Sequence, residues 1–334
     1  MISSAITVRA ARTPREAAAP VEARIWPAWI VVGALHLVPL IAVAGGWFTI
    51  HIEELAPFYA VFLILLGYGV RLRRLKRHRV ATACETSGLF YLAAAGTALS
   101  CAVMTAFALP YADARLAAAD RALGFDWLAM LDLFRDAPQT ARMMGRAYEA
   151  LNWAPQLLIV LLSALGLPML AWRFLTGWLI CLLLTALVYP FFPAIAAFHH
   201  YGLSPEMIGA PTARISWDLP QVMEDLRTGI TRTLGADQLT GLVTMPSFHA
   251  AGAILLVHGY GALRWLRWPA ALVGGAMFLS AVPIGGHYLV DIIAGLGLAL
   301  LSIRVAEALI GRPSPRHEAG EEAAPGPVGR IAPA

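Results

Sequence analysis

Apolar runs long enough to cross a lipid bilayer fix what this chain can fold into. Hydrocarbon offers no water to a bare N–H or C=O, so a spanning segment must be a helix or a strand of a closed barrel. A spanning helix needs about 20 mostly apolar residues. Eight such runs stand in the sequence, at residues 26–47, 57–70, 87–109, 151–170, 174–193, 247–263, 269–284 and 287–310. The second is short, and a Gly285-Gly286 break divides the last two, which otherwise read as one run. Only 14% of the residues are charged, against about 25% in soluble domains. The expected fold is all-α, a polytopic membrane bundle of about eight transmembrane helices.

The net charge of +4 would by itself admit nucleic acid as a partner. The placement of the basic residues argues against it, because they gather at the ends of apolar runs, as in cytoplasmic loops of membrane proteins. Arg9, Arg12, Arg15 and Arg24 precede the first run, and the loop 71–79 (RLRRLKRHR) follows the second. Arg264 and Arg267 bracket the turn after the sixth, and Arg312 and Arg316 follow the eighth. With eight spans all four clusters fall on one side. The expectation is an inner (plasma) membrane protein with both termini cytoplasmic. Glu53, Glu54 and the long segments 110–150 and 194–245 then lie outside.

Four stretches organise the chain: a polar, Ala- and Arg-rich tail at 1–25, N-terminal membrane helices with an outer segment at 26–150, a core at 151–311, and a Pro-, Ala-, Gly- and Glu-rich tail at 312–334. Both tails read as disordered, and the first carries no apolar core with a cleavage site. In the outer segment Leu116, Leu123, Trp127, Leu131 and Phe134 recur at helical spacing. That pattern fits one amphipathic helix over 113–134, lying on the outer membrane surface or packing against the spans. Cys84, Cys101 and Cys181 lie in or beside apolar runs with no metal or redox spacing and read as core residues.

Two short stretches carry chemistry. Met245-Pro246-Ser247-Phe248-His249 opens the sixth run, and Gly285-Gly286-His287-Tyr288-Leu289-Val290-Asp291 opens the eighth. The topology puts both on the same non-cytoplasmic face. Four residues apart on a helix, His287 and Asp291 share a face, so the carboxylate can hold one ring nitrogen and leave the other free to attack. An ionised aspartate inside a span costs roughly 2.5–3.5 kcal/mol and calls for a partner or a purpose. A His–Asp pair that merely locks two helices is the bland alternative. His249 lies one turn into a helix that Pro246, at its first position, and Ser247 would start. Free N–H groups there, the Ser247 hydroxyl and the close backbone approach allowed by Gly286 would favour a phosphate. A nucleophilic histidine, an orienting carboxylate and a second histidine as acid make a phosphoryl-transfer constellation.

Pro246-Ser247-x-His249 followed by Gly285-x-His287-Tyr288-x-x-Asp291 resembles the second and third signature motifs of the type 2 phosphatidic acid phosphatase superfamily. The likeness is nearest to the branch with fungal inositol phosphorylceramide synthase and its bacterial relatives, and His287-Tyr288-Leu289-Val290-Asp291 is also similar to the His-Tyr-x-x-Asp motif of sphingomyelin synthases. The resemblance implies a metal-independent enzyme without cofactor: His287 forms a phosphohistidine, Asp291 orients it and His249 protonates the leaving group. It implies a lipid phosphate substrate drawn from the bilayer.

The chain departs from the superfamily pattern in two places. Ser280-Ala281 stands where the pattern has Ser-Arg, and the Lys-x6-Arg-Pro first motif is absent. The phosphate charge still needs a cation, and the outer loop offers Arg214, Arg227 and Arg232, with Arg227 first because Gly229 closes its polar stretch. His36 and His258 read as packing residues, and His199 and His200 as an interfacial pair. A transporter or scaffold with a structural His–Asp pair would more often show related halves with broken helices, and none is visible. A zinc hydrolase would want a His-Glu-x-x-His motif, which is absent. Hydrolysis and transfer to a lipid hydroxyl share their first half-reaction, and the sequence leaves both open, as it does the lipid.

Overall fold

The computed structural model describes residues 25–135, 137–208 and 212–311. The tails expected at 1–25 and 312–334 therefore fall outside the described residues, save Ile25. The helices are α1 (Trp26–Ala44), α2 (Ile52–Arg74), α3 (His78–Thr105), α4 (Asp113–Ala122), α5 (Trp127–Arg135), α6 (Pro138–Tyr148), α7 (Ala154–Ala164), α8 (Pro168–Val188), α9 (Ala197–His200), α10 (Pro205–Ile208), α11 (Ile215–Thr228), α12 (Phe248–Gly261), α13 (Arg267–Gly285) and α14 (Leu289–Ile310). Six of them, α1, α2, α3, α8, α13 and α14, are long and apolar enough to cross a membrane. The all-α expectation holds.

Two expected spans form shorter helices. The run 151–170 breaks at Gly166, whose φ of 77° ends α7 after 11 residues, and Pro168 then starts α8. The run 247–263 yields α12, 14 residues long. The reverse happens at 57–70: Pro57 is accommodated near the start of α2, which extends to 23 residues. Large apolar side chains cover the outside, with Ile64 71%, Leu272 76% and Leu279 64% exposed. Water would penalise such a surface, and lipid does not. Trp26 and Trp29 open α1, and Trp265 and Trp268 sit at the turn into α13, all exposed, as in an interfacial aromatic belt.

α3 is the central post, packed against α1, α2, α7 and α8. Where the basic loop enters α3, Arg73 forks onto both oxygens of buried Glu85, so a charge close to the helix contacts is neutralised in place. α8 bridges α3 to α12 and α14. α14 crosses the start of α12 at Gly295, where a Cβ would lie 2.3 Å from the Ser247 carbonyl oxygen. Only glycine allows that approach, and it brings the two motif-bearing helices together. Between α1 and α2, β1 (Thr49–Ile50) pairs in parallel with β2 (Thr233–Leu234), so these two loops lie at one end of the bundle.

The segment 113–134 is not one helix. Gly124, with φ 76°, ends the first helix, and α4 and α5 pack as separate pieces. Leu116, Trp127 and Leu131 are buried in a cluster with Phe198, Tyr288 and Ile292, while Leu123 is 58% exposed. The pieces pack against the start of α14, through Asp120 and the buried face of this cluster.

Candidate active site

Gly286 ends α13 in the left-handed conformation (φ 72°), and Tyr288 caps α14, so the turn 286–288 swings His287 between two helices. His287 is 4% exposed and Asp291 0%. His287 Nδ1 lies 2.9 Å from the Thr244 carbonyl oxygen and 3.5 Å from Asp291 Oδ2. A carbonyl oxygen can only accept, so Nδ1 carries the proton and the Nε2 lone pair is left for chemistry. Asp291 Oδ2 also accepts from the Tyr288 N–H at 2.9 Å.

Ser247 caps α12, its Oγ accepting from Ala250 N at 3.3 Å. The helix thus begins at Phe248, and Pro246 precedes the cap rather than occupying the first helical position; its bond to Met245 is cis. Ser247 N donates to the Asp291 carbonyl at 3.0 Å, tying the two motifs by their main chains. His249, in the first turn, stacks flat on Tyr148, with centroids 3.7 Å apart and planes 12° apart. Its ring centre is 6.2 Å from that of His287.

The phosphate cradle expected at the start of α14 is already filled. Asp120 of α4 accepts from Leu289 N at 2.9 Å and from Val290 N at 3.0 Å. Asp113, one face and seven residues earlier, accepts from the Tyr288 hydroxyl at 2.9 Å and from Ile195 N. Trp127 Nε1 donates to the His287 carbonyl at 3.1 Å. Burial pushes both carboxyls above the usual carboxylate range, and their N–H and O–H donors pull them partly back. Gly286 N donates to Val282 O and its carbonyl accepts from Ala197 N. A Cβ there would stand 2.7 Å from Phe198. Gly286 therefore serves the turn, and Ser247, fully buried, serves as a helix cap; neither lines the cavity beside the histidines.

That cavity holds about 620 Å³. His249, His287, Tyr148 and Thr244 line it, along with Glu149, Asn152 and Arg214. Arg214, at the start of α11, is the one arginine or lysine among its described lining residues, and it makes a 3.7 Å contact with Asp218 across exposed side chains. Arg227 is elsewhere: it donates to the Leu109 carbonyl and lies 4.2 Å from the Tyr111 ring centre. Arg232 donates to Leu226 O and stacks on Phe48. His249, His287 and Arg214 thus line one cavity with Asp291 behind His287, and Arg227 and Arg232 are not among its lining residues.

Tyr148, the Thr244 carbonyl, Asp113 and Asp120 carry no site role in the sequence reading, and Trp127 enters it only as part of an apolar stripe. One trace was present: Asp113 and Asp120 share a helix face with Leu116 and Ala117, where solvated carboxylates do not belong. Of the other histidines, His258 lies 4.0 Å from Glu307 with its side chain 46% exposed, not packed in the core. His36 bonds Val32 O and the Tyr59 hydroxyl, and His199 bonds Ser216 O.

A family model described as the PAP2 superfamily matches residues 114–305. No curated protein and no solved structure matches the chain.

Proposed function

This chain belongs to the PAP2 superfamily, a family of phosphatases that are generally metal-independent, and on that premise we propose a lipid phosphoesterase working through a phosphohistidine. The Nε2 of His287 attacks phosphorus, the N–P bond forms, and the P–O bond to the lipid breaks. The departing alkoxide takes a proton from His249. Water or a lipid hydroxyl then attacks phosphorus, gives its proton to His249 and breaks the N–P bond. Asp291 balances the positive charge of the phosphorylated imidazole. Arg214, the outer-loop arginine that lines the cavity, meets the equatorial phosphate oxygens.

The observation that carries this reading is the commitment of His287 Nδ1 to the Thr244 carbonyl, which leaves only Nε2 able to act as nucleophile beside a second histidine in one cavity. The test is a rapid alkaline quench of purified protein with a radiolabelled phosphatidate. Label on His287 by peptide mass spectrometry supports the reading, and turnover with no such adduct in single-turnover mixing would falsify it.

The site's face is assigned from charge. The loop 71–79 lies at the other end of the bundle from the histidines: its Arg79 reaches Ala164, at the far end of α7 from the cavity. With the basic loop inside, the cavity faces outward and both termini are cytoplasmic. Cysteines placed in 71–79 and in 204–233 should label from opposite sides, and labelling from one side sinks the assignment. Transfer to a hydroxyl, as in inositol phosphorylceramide synthases, differs from hydrolysis only in what reaches the phosphohistidine. Scoring free phosphate and new lipids together separates the two.

A further inference from the structure

The cavity runs on past the histidines along α3. Phe90, Ala94, Thr97, Ala98 and Cys101 line it, and their spacing places all five on one helical face. From Phe90 to Cys101 that stripe is about 16 Å long. Trp178, Leu182 and Thr185 face it from α8. Ala94 and Ala98, one turn apart, present only methyl groups, and Ala94 is exposed on a helix most of whose residues are buried. Between the two helices the space therefore stays open where larger side chains would close it. His249, His287 and Arg214 also line it, His249 in the first turn of α12 and His287 just before α14. α3 precedes residue 114, so this wall lies outside the family match.

We infer that the slot between α3 and α8 is a binding subsite for a single hydrocarbon chain of the lipid whose phosphate sits at His287. This rests on the function proposed above. A cavity that holds both histidines and Arg214 and has a mainly apolar wall on α3 and α8 suits an amphiphile with its phosphate at the histidines. Its 620 Å³ falls within the roughly 300–1,000 Å³ of pockets that hold drug-sized ligands, so it takes one chain in part and not a whole two-chain lipid.

The experiment compares monoalkyl phosphates from butyl to hexadecyl on protein in nanodiscs. Partition into the bilayer is common to wild type and variant, so the ratio of their kcat/KM values isolates the slot. Ala98→Phe should lower the hexadecyl-to-butyl ratio roughly 10-fold or more, since each methylene left unburied costs about fourfold. An unchanged ratio overturns the slot. Ala94→Cys, a small change on any fold, gives a second readout that needs no turnover. Dodecyl methanethiosulfonate should modify the introduced thiol, and hexadecyl phosphate, but not inorganic phosphate, should protect it. A thiol left unlabelled, or labelled equally with hexadecyl phosphate present, also overturns the slot. If wild type turns over no phosphate ester while the thiol is labelled and protected, the slot stands and the catalytic reading fails.

Discussion

The Thr244 carbonyl oxygen is closer to His287 Nδ1 than Asp291 is, 2.9 Å against 3.5 Å. The main chain by itself thus fixes the tautomer, and what Asp291 adds is charge beside a ring that turns cationic on phosphorylation. Asp291→Asn should lower kcat about 10²-fold, on the scale of one lost electrostatic stabiliser. It should fall short of the ~10⁴ loss seen where a carboxylate alone holds the tautomer. Steady-state kinetics beside a thermal melt decide it, and an undiminished kcat would remove the charge from the mechanism.

The two histidines should separate by leaving group. His287→Ala should abolish turnover of every ester. His249→Ala should spare nitrophenyl phosphate, whose leaving group needs little protonation, and slow an alkyl phosphate by about 10²–10⁴-fold, the usual worth of general acid catalysis. Equal losses on both esters would place His249 in binding instead.

Asp120 should matter for rate although it lies outside both motifs. Asp120→Ala leaves the Leu289 and Val290 N–H groups without their acceptor, a loss of roughly 1–3 kcal/mol for each buried donor. A shift of His287 by about 1 Å would cost about 10²-fold in kcat. Asp120→Asn keeps one acceptor oxygen and should recover part of both. A melt that drops with kcat unmoved would confine Asp120 to stability.

The loop arginines should sort by position. Arg214→Ala should cut kcat/KM about 10²–10³-fold, as for one transition-state donor. Arg227→Ala breaks its bond to Leu109 and its stacking on Tyr111, so it should lower the melting temperature more than the rate. Kinetics and melts of both variants test the ordering, and a larger rate loss at Arg227 reverses it.

Among the described residues no group of three His, Cys, Asp or Glu side chains is placed to hold a metal ion. Turnover should persist in EDTA and fall with vanadate, which mimics the five-coordinate phosphoryl transition state. Activity lost to chelation and restored by zinc would refute the metal-free mechanism.

The sequence made the bundle legible because span length and apolarity are local quantities, and the Gly285-Gly286 break marks its own helix end. It made His249, His287 and Asp291 legible because each opens an apolar run. The Asp120 clamp was hidden for a physical reason: its partners are main-chain N–H groups, which leave no side-chain signature. The choice among Arg214, Arg227 and Arg232 depended on how α11 lies against α3, and that path is tertiary. The shortened α7 shows the other limit, since a hydropathy window sums over Gly166 and does not register the turn there.

α3 carries a wall of the cavity yet ends before the family match begins. A protein trimmed to residues 114–305 would keep both histidines, Asp291, Asp113's neighbour Asp120 and Arg214, and would look complete by its motifs. Its cavity would stand open to lipid along one whole side, with Trp178, Leu182 and Thr185 facing acyl chains at random. The matched stretch of sequence is therefore shorter than the set of helices that walls the cavity, because α3 supplies one wall from outside it.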